Sequence, residues 1–451
     1  MFFFAANEGA VDRSRVRSTL GWSGEIKMLR KDAALLLWTE DDFTRFWRRG
    51  SLVRVAVGGS RSDGKAVCTL EWHLGSGRVT VRRRWSGEFT AYVAREPTWA
   101  IASHLRLISG AFSGRSPGTQ RVKAGWSVSM NSSNPLAKLR REHEGRFRST
   151  ASQDYGSTVA RARRLVRTSV GNQDGPIALL LSGGLDSSVI AAVAKALGKK
   201  VHAFVFALRR PLRPQDETKN DLEHARRVAA HLRIPCTEIL LDSRTVVRNA
   251  PLAVALGETP RGTIVDPCAA FIEVARTVRK AGYRRVFIGE AADDIFGGLD
   301  FALRYYRGRE LKQHFRHELT VGLPDEEAVL QKIFEPWGVL LVDPFLTQGL
   351  MNLAYNLPLR FRVDRERRMK RVLRDAFADI LPPEIVDRPK GVTRDTTQVR
   401  FALENHFGRS RDRYRAAFKS LFGPRSKWPG KLAPLLKKSL LPQSSRWIRQ
   451  N

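Results

Sequence analysis

Ser182-Gly183-Gly184-Leu185-Asp186-Ser187-Ser188 follows the apolar run Ile177 to Leu181 and precedes the helical spacing Val189, Ala192, Val193, Leu197. Two adjacent glycines let backbone N–H groups approach an anion closely, the hydroxyls of Ser182, Ser187 and Ser188 add donors, and the following helix points its positive end at the same place. Strand, glycine-hydroxyl loop and helix in that order predict a phosphate cradle, with Asp186 placed to hold Mg²⁺. The string is not a Walker loop, because no Gly-x-x-x-x-Gly-Lys-Ser/Thr occurs in the chain.

Outward from this loop the pattern alternates strand and helix. Ile177 to Leu181, Val201 to Leu208, Thr237 to Leu241 and Val286 to Gly289 read as apolar strands. The segments ending at Leu197, running through Ala225, Val228, Ala229 and Leu232, and around Phe271 to Val278 read as amphipathic helices. Near-continuous apolar strands are buried on both faces, so they predict a doubly wound parallel sheet with ligands outside its carboxyl edge. Ser182 to Ser188 and the segment from Gly289 both fall on that edge. Residues from about Ala302 to Phe401 read as helical.

Residues 1–150 differ in kind. Leu52 to Val57, Val67 to Trp72, Val79 to Trp85 and Phe89 to Val93 are short alternating runs between Gly, Ser and Asp turns, which predicts a β-rich domain. The polar stretch Ser127 through Ser152, with Asn131-Ser132-Ser133-Asn134-Pro135, reads as a linker or exposed loop. The expected organisation is a β-rich domain over 1–150, an α/β domain over 151–405 and a basic tail over 406–451.

With 451 residues, 42% hydrophobic and 9% aromatic, the chain is long enough for two or three cores. No window approaches the roughly 18 uninterrupted apolar residues of a membrane span, and Met1-Phe2-Phe3-Phe4-Ala5-Ala6 is too short for a signal-peptide core, so a cytoplasmic protein is expected. Cys68, Cys236 and Cys268 have no partner at metal-ligand spacing and are expected to be reduced core thiols. The charge is unusual: 78 Lys+Arg against 45 Asp+Glu give +33, a field that draws nucleic acid, an acidic peptide or an anionic membrane face. Its densest segment is the tail, where Arg409, Arg411, Arg413, Arg415 and Lys419 lead into further cations with Trp428 and Trp447. That composition suits a membrane-surface or partner-docking segment as well as a solvated helix.

Two further strings carry chemistry. Gly289-Glu290-Ala291-Ala292-Asp293-Asp294-Ile295-Phe296-Gly297-Gly298 leaves a strand end with three carboxylates inside five residues, a crowding that calls for a metal or cation. Arg388-Pro389-Lys390-Gly391 places two cations after a helix. In this order the three strings resemble the synthetase domain of the asparagine synthetase family. SGGLDSS resembles its pyrophosphatase (PP) loop, GEAADDIFGG is similar to its GEG(S/A)DE-(L/V)-FGG string, and RPKG resembles its lysine-bearing segment. His224 to Ala229, Glu258-Thr259-Pro260 and Lys370 to Ala376 fit the same pattern, and the likeness covers roughly residues 155–400.

The resemblance implies ATP and Mg²⁺ as cofactors, with Asp186 and Asp293 sharing the metal. Ser182, Gly183, Gly184, Leu185, Asp186, Ser187 and Ser188, with Gly289, would grip ATP and its pyrophosphate; Glu290 would face the acyl-adenylate and orient or deprotonate the amine; Lys390 would offset charge on the adenylate. Ser86-Gly87-Glu88-Phe89 and Trp99 to Ile108 are similar to segments of the family's glutaminase domain. The implied fold is therefore α/β, with an N-terminal β-rich, Ntn-type glutaminase-like domain and a C-terminal doubly wound PP-loop adenylating domain.

Departures from the family sharpen the expectation. The nucleophilic cysteine that follows the initiator methionine in glutamine-dependent members is Phe2 here, and without a thiolate there is no acyl-enzyme chemistry at that position. Thr347 follows Pro344-Phe345-Leu346 where the family usually has an acid, which argues against an aspartate-like substrate. An adenylating half beside an emptied glutaminase is similar to β-lactam synthetases and lasso-peptide cyclases, and Glu290 departs from the tyrosine of the former. The resemblance thus points to a lasso-peptide macrolactam synthetase. It would adenylate a side-chain carboxylate of a precursor peptide and close the ring with the N-terminal amine, releasing AMP and pyrophosphate. An α-amine of pKa about 7.7–8.0 is easier to deprotonate at pH 7 than a lysine near about 10.4. A leader peptidase and a leader-binding protein are the implied companions, and nucleic acid is not favoured. The alternatives are an ammonia-dependent asparagine synthetase, a β-lactam synthetase-like cyclase and a tRNA-modifying adenylase.

Overall fold

A computed structural model describes residues 3–7, 26–31, 34–39, 44–57, 68–85, 89–94, 99–111, 119–131, 134–141, 147, 154–213, 220–298, 300–355, 357–364, 368–410 and 412–422. Its N-terminal strands are β1 (Phe3–Asn7), β2 (Ile26–Lys31), β3 (Ala34–Thr39), β4 (Thr44–Arg49), β5 (Leu52–Val57), β6 (Cys68–His73), β7 (Arg78–Arg83), β8 (Tyr92–Ala94), β9 (Ala100–Ala102), β10 (Thr119–Arg121), β11 (Trp126–Asn131) and β12 (Asn134–Arg141). They form two antiparallel sheets, ordered β10-β8-β9-β1-β3-β2 and β12-β11-β7-β6-β5-β4. Alternation explains the packing: Phe3, Ala5, Leu36 and Trp38 of the first sheet meet Val53, Val55, Leu70, Val81 and Val128 of the second in one core. The stretch read as a linker from Ser127 instead carries β11 and β12. Ser127 and Ser129 alternate with the inward-facing Val128 and Met130, so the strand reads as polar. Phe2 and Ser86 to Glu88 lie outside the described residues.

From Tyr155 onward the architecture changes. The strands β13 (Ile177–Leu180), β14 (Val201–Leu208), β15 (Cys236–Leu241), β16 (Arg285–Phe287) and β17 (Leu340–Val342) pair in parallel in the order β15-β14-β13-β16-β17. Both faces are buried, as the apolar runs require. Ile177, Leu179, Ala203 and Val205 point into one core, whereas Ala178, Phe204, Phe206 and Leu208 point into another. Helix α1 (Leu105–Ala111) belongs to the N-terminal part. The helices of the α/β part used below are α2 (Leu185–Ala196), α3 (Asp221–Leu232), α4 (Ser243–Gly257), α5 (Gly262–Lys280), α6 (Ala291–Phe296), α7 (Leu323–Phe334), α8 (Arg371–Phe377), α9 (Thr393–Thr396) and α10 (Arg415–Phe422). Pro251 inside α4 and Pro267 inside α5 conceal helices that the residue pattern alone does not delimit.

The segment set apart as a tail from residue 406 is, over its described part, joined to the core. Leu421 and Phe422 of α10 are buried, and the fully buried Asp266 accepts hydrogen bonds from Tyr414 Oη at 2.9 Å and Arg413 Nη2 at 2.5 Å. The cations beyond residue 422, with Trp428 and Trp447, lie outside the described residues. Among the described residues no helix is long and apolar enough to cross a membrane.

Buried polar groups tie the two parts together across α7. Arg83, whose side chain is fully buried, donates to Pro324 O at 3.0 Å and Asp325 Oδ1 at 3.2 Å. At the other end Lys332 pairs with Glu258, whose carboxylate accepts from the amides of Leu105 and Arg106 at 3.0 Å each, and His104 Nε2 lies 2.9 Å from Glu335 Oε2. Burial, reinforced by Arg106, depresses the His104 imidazole to about 4. The unfolded chain, with His104 near its ordinary value, therefore binds more protons between pH 6.5 and 4, and this residue's contribution to stability is lost as pH falls through that window. Thermal melts should show the stability gap between the parent and His104→Gln shrinking from pH 6.5 to 4.5; a constant gap would refute the assignment.

Candidate functional site

The strand order of the parallel sheet reverses between β13 and β16, and a reversal of this kind opens a crevice beyond the carboxyl ends of the strands. Here the crevice is a cleft of about 640 Å³, counting space open to solvent. Ser182, Asp186 and Ser187 line it from the β13 side, Gly289, Glu290 and Asp293 from the β16 side, and Lys390, Thr393 and Thr397 from the C-terminal segment. Phe204, Phe206, Phe271 and Ile288 form its apolar wall.

The loop at β13 is shaped by glycine. Gly183 sits at φ +67°, and a Cβ there would overlap the backbone of His224 on α3, so a side chain is excluded on both counts. The Gly184 amide donates to Ser182 Oγ at 3.2 Å, and the Ser182 amide donates to Ser187 Oγ at 3.2 Å, which folds the hydroxyls around the start of α2. Arg388 braces the turn by donating to Ser182 O at 2.9 Å and to Asp221 Oδ1 at 2.8 Å. Of the seven loop residues, Leu185 packs into the core and Ser188 is fully buried with its hydroxyl unpartnered, so neither side chain reaches the cleft.

Asp186 and Asp293 are brought together. Lys370 Nζ pairs with Asp186 Oδ2 and lies 2.5 Å from Asp293 Oδ1, while Lys390 Nζ donates to Asp293 Oδ2 at 2.5 Å. Asp293 has a lowered pKa although burial opposes it, because the two ammonium groups outweigh desolvation. Burial alone would depress the Lys390 ammonium; Asp293 and Asp186 hold it above its ordinary value. Asp186 Oδ1 is buried yet accepts no hydrogen bond, whereas Asp293 Oδ1 is held by Lys370. Two carboxylates, one of them with a spare oxygen, fit Mg²⁺, which takes one or two carboxylates and completes its shell with phosphate and water. Among the described residues no cluster of three or more His, Cys, Asp or Glu ligands is assembled, so such an ion would depend on a phosphate ligand.

Glu290 opens onto the cleft and is exposed there, and desolvation by the surrounding protein, then Asp293, Glu326 and Asp186, pushes its carboxyl up to about 7 against the pull of Lys390. It can therefore exchange a proton near neutrality. The following helix is pinned at both ends. Asp343 accepts from the Ala291 amide at 2.8 Å, and the fully buried Arg362 side chain donates to Ile295 O at 2.6 Å. Thr347 does not line the cleft; its hydroxyl accepts from the Leu350 amide at 3.4 Å at the start of a helix.

Sequence reasoning missed Lys370, Asp343, Asp221 and Arg362. Lys370 had been seen only as part of a matching stretch, and nothing in Met369-Lys370-Arg371 distinguishes it from neighbouring cations. The signal available was Gly298, where a Cβ would collide with Asp293 Oδ1 and Lys370 Cε. Lys370→Met and Gly298→Ala should each lower stability by about 2–3 kcal/mol, and the double variant should lose much less than the sum of both. Denaturant melts that give additive losses would show that the two residues act independently.

Comparison with known proteins gives three findings. A family model described as Asparagine synthase matches residues 161–336 and 335–426. A glutamine-hydrolysing asparagine synthetase of Triphysaria versicolor is 29% identical over 238 residues, 48% of this chain and 39% of that protein. Asparagine synthetase B of Escherichia coli is 27% identical over 235 residues, 48% and 40%, and the carboxyethyl-arginine beta-lactam-synthase of Streptomyces clavuligerus is 28% identical over 241 residues, 52% and 44%. The chain thus aligns with about two fifths of the length of these relatives.

Proposed function

Because the chain belongs to the asparagine synthase family, we propose that it is an ATP-dependent, AMP-forming amide ligase whose reaction occurs at the β13/β16 switch point. The observation that carries this reading is the meeting of Asp186 and Asp293, from opposite sides of the switch, around Lys370 and Lys390. A carboxylate is a poor electrophile, so amide formation needs a better leaving group than oxide. The Ser182 to Ser187 loop would hold the leaving pyrophosphate with fixed donors, which is electrostatic preorganisation. Bound Mg²⁺ on Asp186 and Asp293 would supply charge neutralisation for the same phosphates. Binding of ATP and metal requires Lys370 to give up part of its hold on the two carboxylates and turn its charge toward phosphate. Lys390 would offset negative charge on the acyl oxygen. Glu290, with its carboxyl near about 7, would accept a proton from the attacking amine. The apolar wall of Phe204, Phe206 and Ile288 suits a purine base.

The finer reading is closure of a macrolactam in a precursor peptide. Its support is Glu290, a proton acceptor lining the cleft with Lys390 and suited to an amine carried by the substrate. A pre-folded peptide that holds its amine beside the adenylate gains an effective molarity of about 10⁵ M or more. The antiparallel sandwich ahead of the ligase part is consistent with a glutaminase-like domain. Asparagine formation from aspartate and ammonia is the second reading, favoured by the named activity of the relatives.

Labelled pyrophosphate should exchange into ATP in the presence of the substrate, and the product peptide should be one water lighter by mass. Asp186→Ala and Asp293→Ala should abolish exchange. Lys390→Ala should retain exchange and cut amide product by about a hundredfold or more. Asparagine released from aspartate, ATP and ammonium, with no peptide losing water, would replace the macrolactam reading by the second.

A further inference from the structure

The cleft uses few of the chain's cations, so the +33 charge must lie elsewhere. Strand register shows one place where it is gathered. Because Val53, Val55, Leu70, Val81 and Val128 face the sandwich core, the residues between them form the outer face of the second sheet. One row across all six strands reads Arg45, Ala56, Thr69, Arg82, Ser127, Arg140, each directly opposite the next. The adjacent row begins Trp47, Arg54, Glu71, Thr80, and the third begins Arg49, Leu52, His73, Arg78.

Six arginines thus stand on one face: Arg45, Arg49, Arg54, Arg78, Arg82 and Arg140. Glu71 is the carboxylate among them, and it is already engaged by Arg54 and by Arg82 at 3.7 Å. Alanine, threonine and serine occupy the positions between, which leaves a low floor under the arginines. Strand spacing puts Arg45 about 14 Å from Arg82, and Arg82 about 10 Å from Arg140. No arginine faces another directly across the strands, so the face gathers positive charge without close like-charge pairs and is complementary to an anionic ligand.

The edge of the same sheet adds a second requirement. Among the described residues β4 has no strand on its far side, so one row of its backbone donors and acceptors is open, and Trp47 on it is 42% exposed with Arg54 over its ring at 5.6 Å. An open edge presents alternating donors and acceptors, which an extended polypeptide matches in full and a sugar-phosphate backbone, lacking the donors, matches only in part. Alternate side chains of an added strand repeat at about 6.8 Å, matching the step between the rows of Arg45, Trp47 and Arg49.

We infer that the outer face of this sheet and its β4 edge form a docking surface for an acidic, extended polypeptide, which adds as a strand to β4 and lays carboxylates among the arginines. The surface is separate from the cleft, so the inference stands or falls independently of the ligase chemistry. The test is fluorescence anisotropy of the full chain with a labelled peptide of alternating glutamate and valine. The triple variant Arg45→Glu, Arg78→Glu, Arg140→Glu, none of which touches Glu71, should weaken binding at least about tenfold while leaving ATP–pyrophosphate exchange and the melting temperature unchanged. The same peptide N-methylated at alternate residues should also bind at least about tenfold more weakly. Unchanged affinity in the triple variant would overturn the surface, equal affinity for the N-methylated peptide would overturn strand addition, and tighter binding of a single-stranded oligonucleotide of equal charge would reassign the face to nucleic acid.

Discussion

Asp186 and Asp293 approach each other only because two ammonium groups stand with them. Each carboxylate leaves the carboxyl edge of the sheet from a different strand, and the switch in strand order directs both into one crevice. Like charges at such separation in a partly buried site would force one to protonate, as Asp294 shows: burial first, then Asp293, Glu326, Glu318 and Glu290, hold its carboxyl well above the usual range. Asp293 escapes this through Lys370 and Lys390. The cluster thus supplies positive charge where the phosphates of a metal-bound nucleotide would sit, and it keeps Asp186 Oδ1 without a hydrogen bond where an ion would sit.

Much of this was legible in the residues. Glycines and hydroxyls after an apolar strand marked one loop of the cleft, and the crowding of Glu290, Asp293 and Asp294 marked the loop facing it, because both are local in sequence. Lys370 was not legible, since its meaning comes from a distance of 184 residues to Asp186. The same holds for Asp343 and Arg362, which hold α6 at its two ends and look like ordinary polar residues in their own segments. In the fold, the alternating strands Leu52–Val57 and Arg78–Arg83 were readable, whereas Trp126–Asn131 was lost because its outward positions are serines. The short strand Leu340–Val342 gave too few residues for any periodicity.

Helix α7 explains why the N-terminal sandwich bears on a site that it does not line. Its first turn is held by Arg83 and Arg121 through Asp325, and its last turn by Tyr92 and Glu258 through Lys332. The next residue after Asp325 is Glu326, which lies 3.5 Å from Arg261 and adds negative potential at Glu290. Glu258, gripped by the amides of α1, precedes Arg261 by three residues. Both members of the Arg261–Glu326 pair therefore sit beside residues gripped by the sandwich, which positions the start of α7 near the cleft.

One chain here combines strong positive charge with a crevice rich in acids. Burial raises Glu290, Asp294 and Asp343 above the usual carboxylate range, so near neutrality they carry less negative charge than ordinary carboxylates and leave the Lys370–Lys390 pair less opposed. Phosphate oxygens would be drawn to those lysines, which favours one orientation of a polyanionic nucleotide in the cleft. Positive charge would then stand beside the leaving phosphate, while the amine would add to the acyl carbon and expel AMP from the tetrahedral intermediate. Surface arginines remote from the cleft can then accumulate for other ligands without disturbing it, because over more than about 10 Å of solvent their field is screened at physiological salt.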